Sequence, residues 1–161
     1  MRSSTSFHTR RTDFRDEGFK LLVAKLDAEL EERDGAEHGF YDQFNSIQGL
    51  DRVLLVFDGE SPVGCGAIKP FKADSFEIKR MYVLPAYRGS GAAHKVLSGL
   101  EEWAFESGAV RCVLETGKRQ PEAIAFYRKA GYSEMENYGP YIGIENSVCF
   151  VKRFQGRIAN S

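Results

Sequence analysis

At 161 residues the chain has room for one domain with a sizeable core, and its 28% charged and 12% aromatic residues are those of a folded globular protein. Lys and Arg total 22 against 23 Asp and Glu, a net charge of −1 without the basic footprint of a dedicated nucleic-acid binder. No apolar run reaches the length of a membrane span, so neither nucleic acid nor membrane is an expected partner, and the expected location is cytoplasmic.

Residues 1–12 place Arg2, Arg10 and Arg11 among Ser and Thr without the apolar segment of a secretory signal, and read as a flexible N-terminus. A single domain is expected over 13–154, followed by a short tail at 155–161. From 13 to 34, Phe19, Leu22, Val23, Leu26 and Leu30 fall at helical spacing with carboxylates between them, which predicts an amphipathic helix closed by Arg33-Asp34-Gly35. Residues 35–50 are aromatic and polar without a clear period, a short helix plus loop. "RVLLVFDGESPVGCGAI" (52–68) then gives two β-rich runs around Asp58-Gly59-Glu60-Ser61-Pro62, a hairpin signal.

"SFEIKRMYV" (75–83) is the next strand. Ala93, Val96, Leu97, Leu100 and Ala104 mark a helix ending near Ser107-Gly108, and "VRCVLET" (110–116) returns to strand. Pro121 suits the first position of a further helix that Gly131 stops. After the loop "ENYGPYIGIEN" (136–146), "SVCFVKRF" is the last strand-like run. A hairpin followed by strand–helix–strand units implies an α/β chain of the α+β type, with a mixed sheet and helices on both faces.

Cys65, Cys112 and Cys149 are an odd, widely spaced set in separate apolar runs, which fits buried thiols in a reducing compartment better than a disulfide framework. His8, His38 and His94 form no ligand-spaced cluster with them, so no metal is expected.

The stretch "MYVLPAYRGSGAAHK" (81–95) joins a strand to a helix through a glycine-rich turn. A dinucleotide fingerprint wants Gly or Ala where His94 stands, and a Walker-type loop wants Gly-Lys-Ser/Thr at its end. What remains is a shorter phosphate cradle or an ordinary capped loop. As a cradle, Gly89 and Gly91 let backbone N–H groups converge, the helix start adds unpaired donors and partial positive charge, and Arg88 adds a charged donor. The turn alone does not choose between these two.

Its flanks do. Val83-Leu84-Pro85-Ala86-Tyr87-Arg88-Gly89-Ser90-Gly91-Ala92-Ala93 resembles the signature of the GNAT superfamily of acyl-CoA N-acyltransferases, in which a strand ending in V-x-P leads into Arg/Gln-x-x-Gly-x-Gly/Ala. Arg88, Gly91 and Ala93 fill the defining positions. Downstream, "AIAFYRKAGY" (123–132) is similar to the family's fourth-helix motif, a Tyr followed four residues later by Gly and an aromatic. The order of elements over 13–153 agrees as well.

The resemblance implies a mixed, mostly antiparallel central sheet with a splayed strand pair, and acetyl-CoA as co-substrate. It places the pyrophosphate on Arg88, Gly89, Ser90, Gly91, Ala92 and Ala93, and the thioester along the backbone of Met81, Tyr82 and Val83. The side chains of Met81 and Val83 are also ordinary core candidates. Gln120 stands where the family often has an Asn touching the pantetheine arm. Tyr127 is where the family places a hydroxyl that meets the coenzyme sulfur.

Two proton transfers accompany attack of an amine on a thioester. A lysine-like amine has a pKa near 10.4 and a thiol nearer 8.5, so at about pH 7 removing the amine proton is the harder task. Glu77 is the candidate base, since period-2 alternation puts it on the face of Val83 and the family's strand carboxylate stands at its position. The alternative is a solvated glutamate paired with Lys72 or Lys79. For the acceptor, Tyr41, Phe44, Tyr138 and Tyr141, with Asp42 and Glu145 nearby, suggest an aromatic, mildly acidic pocket for a small amine, or else aromatics that cap the sheet ends. Cys65 lacks a supporting His and is expected to be a buried thiol rather than a nucleophile. Acetylation of protein lysines or N-termini, and a non-catalytic acyl-CoA-binding module, are the competing functions. Edges in such folds often pair, which allows a homodimer.

Overall fold

The computed structural model describes residues 6–35, 39, 41 and 45–155. The order of hydrogen-bonded strands is β1-β2-β3-β4-β5-β7-β6, with β1 at Phe7–Thr12, β2 at Arg52–Asp58, β3 at Ser61–Lys72, β4 at Ser75–Val83, β5 at Arg111–Gly117, β6 at Ser133–Met135 and β7 at Ser147–Arg153. The helices are α1 (Glu17–Asp34), α2 (Ala92–Glu106) and α3 (Pro121–Lys129). The chain divides into two compact units, Met1–Lys69 with Lys79–Glu101, and Pro70–Ile78 with Glu102–Ser161.

In the first unit, β2 and β3 form the expected hairpin, closed with Asp58 opposite Ser61 around Gly59 and Glu60. The register shifts between Val56 and Phe57, where Pro62 lies opposite; a proline has no N–H to give and is tolerated at such an irregularity. Period-2 alternation on these strands gives two apolar faces. Val53, Leu55, Phe57, Cys65 and Ala67 join Phe19, Leu22, Val23 and Leu26 of α1 in one core. Leu54 and Gly66 on the other face meet α2, through Gly99 and through Val96 and Leu100. Asp16 caps α1, its Oδ1 accepting from the N–H of Gly18 at 2.8 Å and of Phe19 at 3.4 Å.

One expectation is corrected here. Residues 7–12 are not a loose terminus but β1, antiparallel to β2 over six register pairs from Phe7↔Asp58 to Thr12↔Val53. The strand has no buried residue, so no apolar alternation announced it. Its stability comes from the ladder and from its contacts with neighbours: His8 stacks on Phe57 at 5.1 Å, Arg10 lies 4.7 Å over the same ring, and Arg10 and Thr12 both donate to Asp16.

In the second unit, β5 and β7 are antiparallel over seven pairs, and β6 adds three more against β7. The start of β4 runs parallel to β5 over three positions, Ser75↔Arg111, Phe76↔Cys112 and Glu77↔Val113. The sheet is therefore mixed and mostly antiparallel. The strand β6 is the second element that the sequence did not announce, because three residues are too few to show a period. Pro121 opens α3 as expected, and Gly131 follows its end with φ +102°. No helix among the described residues is long and apolar enough to cross a membrane.

Close packing gives a test of the first unit. A Cβ on Gly66 would lie 2.7 Å from Met81 Sδ, 2.8 Å from Leu100 Cδ1 and 2.9 Å from Val96 Cγ1. Gly66→Ala is expected to lower stability by about 1–3 kcal/mol. Urea unfolding should show a lower midpoint with an unchanged slope.

Candidate active site

The glycine turn is held from several sides within the first unit. Leu84 N–H donates to Val63 C=O at 2.9 Å, and residues Pro85–Tyr87 form a single 3-10 turn. The Tyr87 hydroxyl donates to Asp58 Oδ2 at 2.6 Å, tying the turn to the end of β2. Gly89 and Gly91 have φ of +80° and +94°, a region closed to most side chains, and a Cβ at either would point into open space. The side chain of Ser90 accepts from Ala92 N–H at 3.3 Å and caps the start of the 15-residue α2. Two left-handed glycines at a helix N-terminus, with space beside them, form a concave row of donors suited to an anion. The residues present thus fit a pyrophosphate.

Arg88 is already engaged. Its Nε donates to Val83 C=O at 3.2 Å, its Nη2 reaches both oxygens of Glu29 at 3.0 Å, and its guanidinium lies 5.7 Å over the Tyr82 ring. A phosphate at this side chain competes with Glu29 of α1.

Before this turn, β4 departs from a regular strand. Arg80 has φ +58°, the left-handed region, among the described residues the one non-glycine there. Alternation is broken at that residue, so the parity reasoning that put Glu77 and Val83 on one face does not carry through it. Arg80 is buried, its side chain 2% exposed, and its guanidinium pairs with Asp27 of α1 while its carbonyl accepts from Cys65 Sγ at 3.4 Å. Burial pushes the Cys65 thiol up to about 12, with the Arg80 charge opposing. Met81, Tyr82 and Val83 complete β4 beyond Arg80. Tyr82 sits in the core with α1, whereas Met81 and Val83 lie against the positions of Gly66 and Gly64.

In the second unit, Glu77 is 7% exposed and not the solvated glutamate of the alternative reading. The Tyr138 hydroxyl donates to its Oε2 at 2.8 Å. Phe71 and Tyr141 flank the Tyr138 ring at 4.7 and 5.9 Å. Burial first, then the charge of Glu77 and its hydrogen bond, hold the Tyr138 phenol far above the ordinary tyrosine value, so it is a donor at every working pH. Cys149 of β7 faces the same cluster and is raised to about 11, by burial first and then by the charges of Glu115 and Glu77, with a backbone hydrogen bond from Tyr138 opposing.

Tyr127 lies on α3 as the fourth-helix motif implied, 7% exposed, with Phe126 and Tyr132 edge-on at 5.2 and 5.8 Å. Burial alone pushes its phenol well above the usual value, so the hydroxyl is protonated. Gln120 precedes α3 without capping it through its side chain; its N–H donates to Gly117 C=O at 3.0 Å. Of the acceptor-side candidates, Tyr41, Tyr138 and Tyr141 are buried, at 7%, 8% and 3% exposure. Glu145 is exposed beside Lys118 at 3.9 Å. Phe44 and Asp42 lie outside the described residues.

Sequence reasoning missed several contributors. Asn137 donates through Nδ2 to the carbonyls of Tyr141, Ile144 and Ser147 at 3.0, 3.3 and 3.2 Å, pinning the loop that carries Tyr138. Its only signal was an amide beside "YGPY", a turn composition. Tyr87 and Asp58 are 29 residues apart, and Arg80 and Asp27 are 53 apart, so nothing local joined them.

Comparison with known proteins identifies the family. Residues 13–132 match the acetyltransferase (GNAT) family, and the chain belongs to that family. The IAA acetyltransferase of Azospirillum brasilense is 34% identical over 122 residues, 74% of this chain and 80% of that protein. The uncharacterized N-acetyltransferase YjgM of Escherichia coli is 41% identical over 97 residues, 58% of each. A solved structure from Klebsiella pneumoniae, assigned as an acyl-CoA N-acyltransferase, matches with a TM-score of 0.78 at 29% identity, covering 92% of this chain and 98% of that one. The PaiA N-acetyltransferase of Thermoplasma acidophilum, solved with coenzyme A, has a TM-score of 0.63 at 19% identity over 92% of this chain and 99% of that one, a likeness of fold. The chain is accordingly an acetyl-CoA-dependent acyltransferase.

The thiols test the exclusion of a cysteine nucleophile. Cys65, Cys112 and Cys149 are all buried and none is in a disulfide, and thiolate is the reactive form. At pH 8 a disulfide reagent is expected to label none of them in the native protein within minutes, and all three after denaturation. Rapid labelling of native Cys65 would reopen a covalent route.

Proposed function

We propose that the chain moves the acetyl group of acetyl-CoA to a primary amine of a small molecule, by direct attack in a ternary complex. The observation that carries this reading is the anchored turn with Gly89 and Gly91 in left-handed backbone at the head of α2. It offers the coenzyme pyrophosphate the backbone of Gly89, Ser90, Gly91, Ala92 and Ala93, where the Ser90 and Ala92 N–H groups now donate to Tyr87 C=O and Ser90 Oγ and would have to turn to a phosphate, with Arg88 at its edge. Rigid anchoring matters because a cradle already in shape spends little affinity on ordering itself.

The backbone of Met81, Tyr82 and Val83 holds the thioester and polarises its carbonyl, a preorganised electrostatic role that is often the largest catalytic contribution. Glu77 takes the amine proton. As a buried carboxylate it favours the ammonium form on arrival, and the Tyr138 ring beside it gives a cation an aromatic face. Tyr127 gives its proton to the departing sulfur; burial holds the phenol in its protonated form and also weakens it as an acid, so the transfer follows the charge that develops on the sulfur. Gln120 reaches the pantetheine arm. Tyr41, Phe44 and Tyr141 complete the acceptor side, and Cys65 takes no part.

A thiol-release assay with acetyl-CoA against amines, polyamines, amino acids and peptides tests the acceptor class. Turnover is expected with small primary amines; turnover with peptides alone would overturn the small-molecule reading. Tyr127→Phe should lower kcat by roughly 10²-fold, the low end of general acid–base contributions, with acetyl-CoA affinity nearly unchanged. Arg88→Ala should weaken acetyl-CoA binding in titration calorimetry by roughly tenfold, the scale of one charge-assisted hydrogen bond. Wild-type kcat in the first variant, or wild-type affinity in the second, removes that residue from its role.

A further inference from the structure

A carboxylate that must take a proton from an incoming amine has to present a chosen oxygen, and a strand fixes only its Cα. In this chain the backbone of Glu77 is fixed by its register against Val113 of β5. The side chain still has rotatable bonds of its own, and a hydrogen bond to one carboxylate oxygen sets the plane of the group and therefore the aim of the other. Tyr138 makes that bond, with its hydroxyl 2.8 Å from Glu77 Oε2, across 61 residues of sequence.

Nothing about Tyr138 is loose. Its ring is flanked by Phe71 and Tyr141. Its backbone follows Asn137, whose side chain donates to two carbonyls of the same loop and to that of Ser147 at the start of β7, and Tyr141 N–H donates back to Tyr138 C=O at 2.9 Å. A core tyrosine needing only a partner for its hydroxyl can use a backbone carbonyl. This one delivers its proton to the single buried carboxylate that the proposed reaction uses as base, in a charge-assisted bond.

We infer that Tyr138 is a positioning residue for acetyl transfer: its hydroxyl holds the Glu77 carboxylate in the orientation from which it takes the proton of the acceptor amine. The inference rests on the reading of Glu77 as the base. It gives Tyr138 a role distinct from lining the acceptor pocket, since the effect runs through Glu77 and not through contact with the amine.

A double-mutant cycle on the full chain separates the possibilities. Glu77→Gln, Tyr138→Phe and the double variant are each assayed for kcat and KM with the best amine from the screen, after calorimetry shows that each still binds acetyl-CoA as wild type does. Tyr138→Phe is expected to lower kcat by roughly tenfold to a hundredfold, the scale of one hydrogen bond to a charged group, with the amine KM changed little. In the Glu77→Gln background the same substitution should cost less than about twofold, because two residues acting through one step are not additive. A full, undiminished loss in that background overturns the inference alone, since a packing defect does not depend on the carboxylate. Wild-type turnover of Glu77→Gln overturns the reading beneath it and the inference with it. A rise in amine KM without a fall in kcat also overturns it, by making Tyr138 a pocket residue. Tyr138→Met, a flexible side chain without the donor, repeats the cycle and must show the same dependence on Glu77.

Discussion

Within β4 the residue that bears the backbone strain is Arg80. Residues 75–78 belong to one unit and 79–83 to the other. Two positions past that change, the backbone at Arg80 enters the left-handed region, which costs a side-chain-bearing residue about 1–2 kcal/mol. A buried guanidinium adds a desolvation cost of its own unless it is paired. Asp27 supplies the partner, and the Cys65 thiol donates to the Arg80 carbonyl. Even so, Arg80 Nε has no hydrogen-bond partner. Such accumulation of cost at one residue, stabilised by surrounding structure, is characteristic of functional strands. It lies between the ladder that fixes Glu77 and the stretch 81–83 that leads into the glycine turn.

The two groups of candidate residues are immobilised by different means. The turn at 84–91 is fixed by side chains reaching back from it, Tyr87 to Asp58 and Arg88 to Val83 and Glu29. Its own glycines contribute shape, and Gly91 C=O accepts from Lys95 N–H at 3.1 Å. The acid–base candidates are fixed by burial instead. Glu77, Tyr138 and Tyr127 are each less than a tenth exposed, and burial keeps both phenols protonated. Anchors of the first kind yield to a change in one side chain; burial holds the second kind in place until the core is disturbed, although the aim of the Glu77 carboxylate hangs on the one Tyr138 hydroxyl.

What could be read from the sequence followed a simple physical division. Elements with an apolar period, such as α1 with Phe19, Leu22 and Val23, were legible because burial writes itself into the pattern. The glycine turn and the start of α3 were legible because Gly and Pro have backbone preferences strong enough to act locally. The strand β1 was not, since all of its residues are polar or only half-buried and its ladder is made by backbone groups that every residue carries. Arg80 was not, because arginine has no preference for the left-handed region. The pairing of Tyr138 with Glu77 joins positions 61 apart, and only the folded chain brings them together. Tyr138 was picked out as an aromatic near the acceptor, and its more specific connection lay in its hydroxyl.

The charged character of β1 has a practical consequence for handling the protein. The strand stands at one end of the strand order, so among the described residues no strand pairs with its outer edge. A second copy approaching that edge antiparallel would bring Arg10 and Arg11 against the same residues of its neighbour, a basic pair that opposes stacking and is only in part offset by the Asp16 carboxylate beside Arg10. Salt relaxes this opposition, because the screening length is about 10 Å at 0.1 M and shortens further above it. Concentrated stocks are therefore best held at low ionic strength, where the edge guards itself.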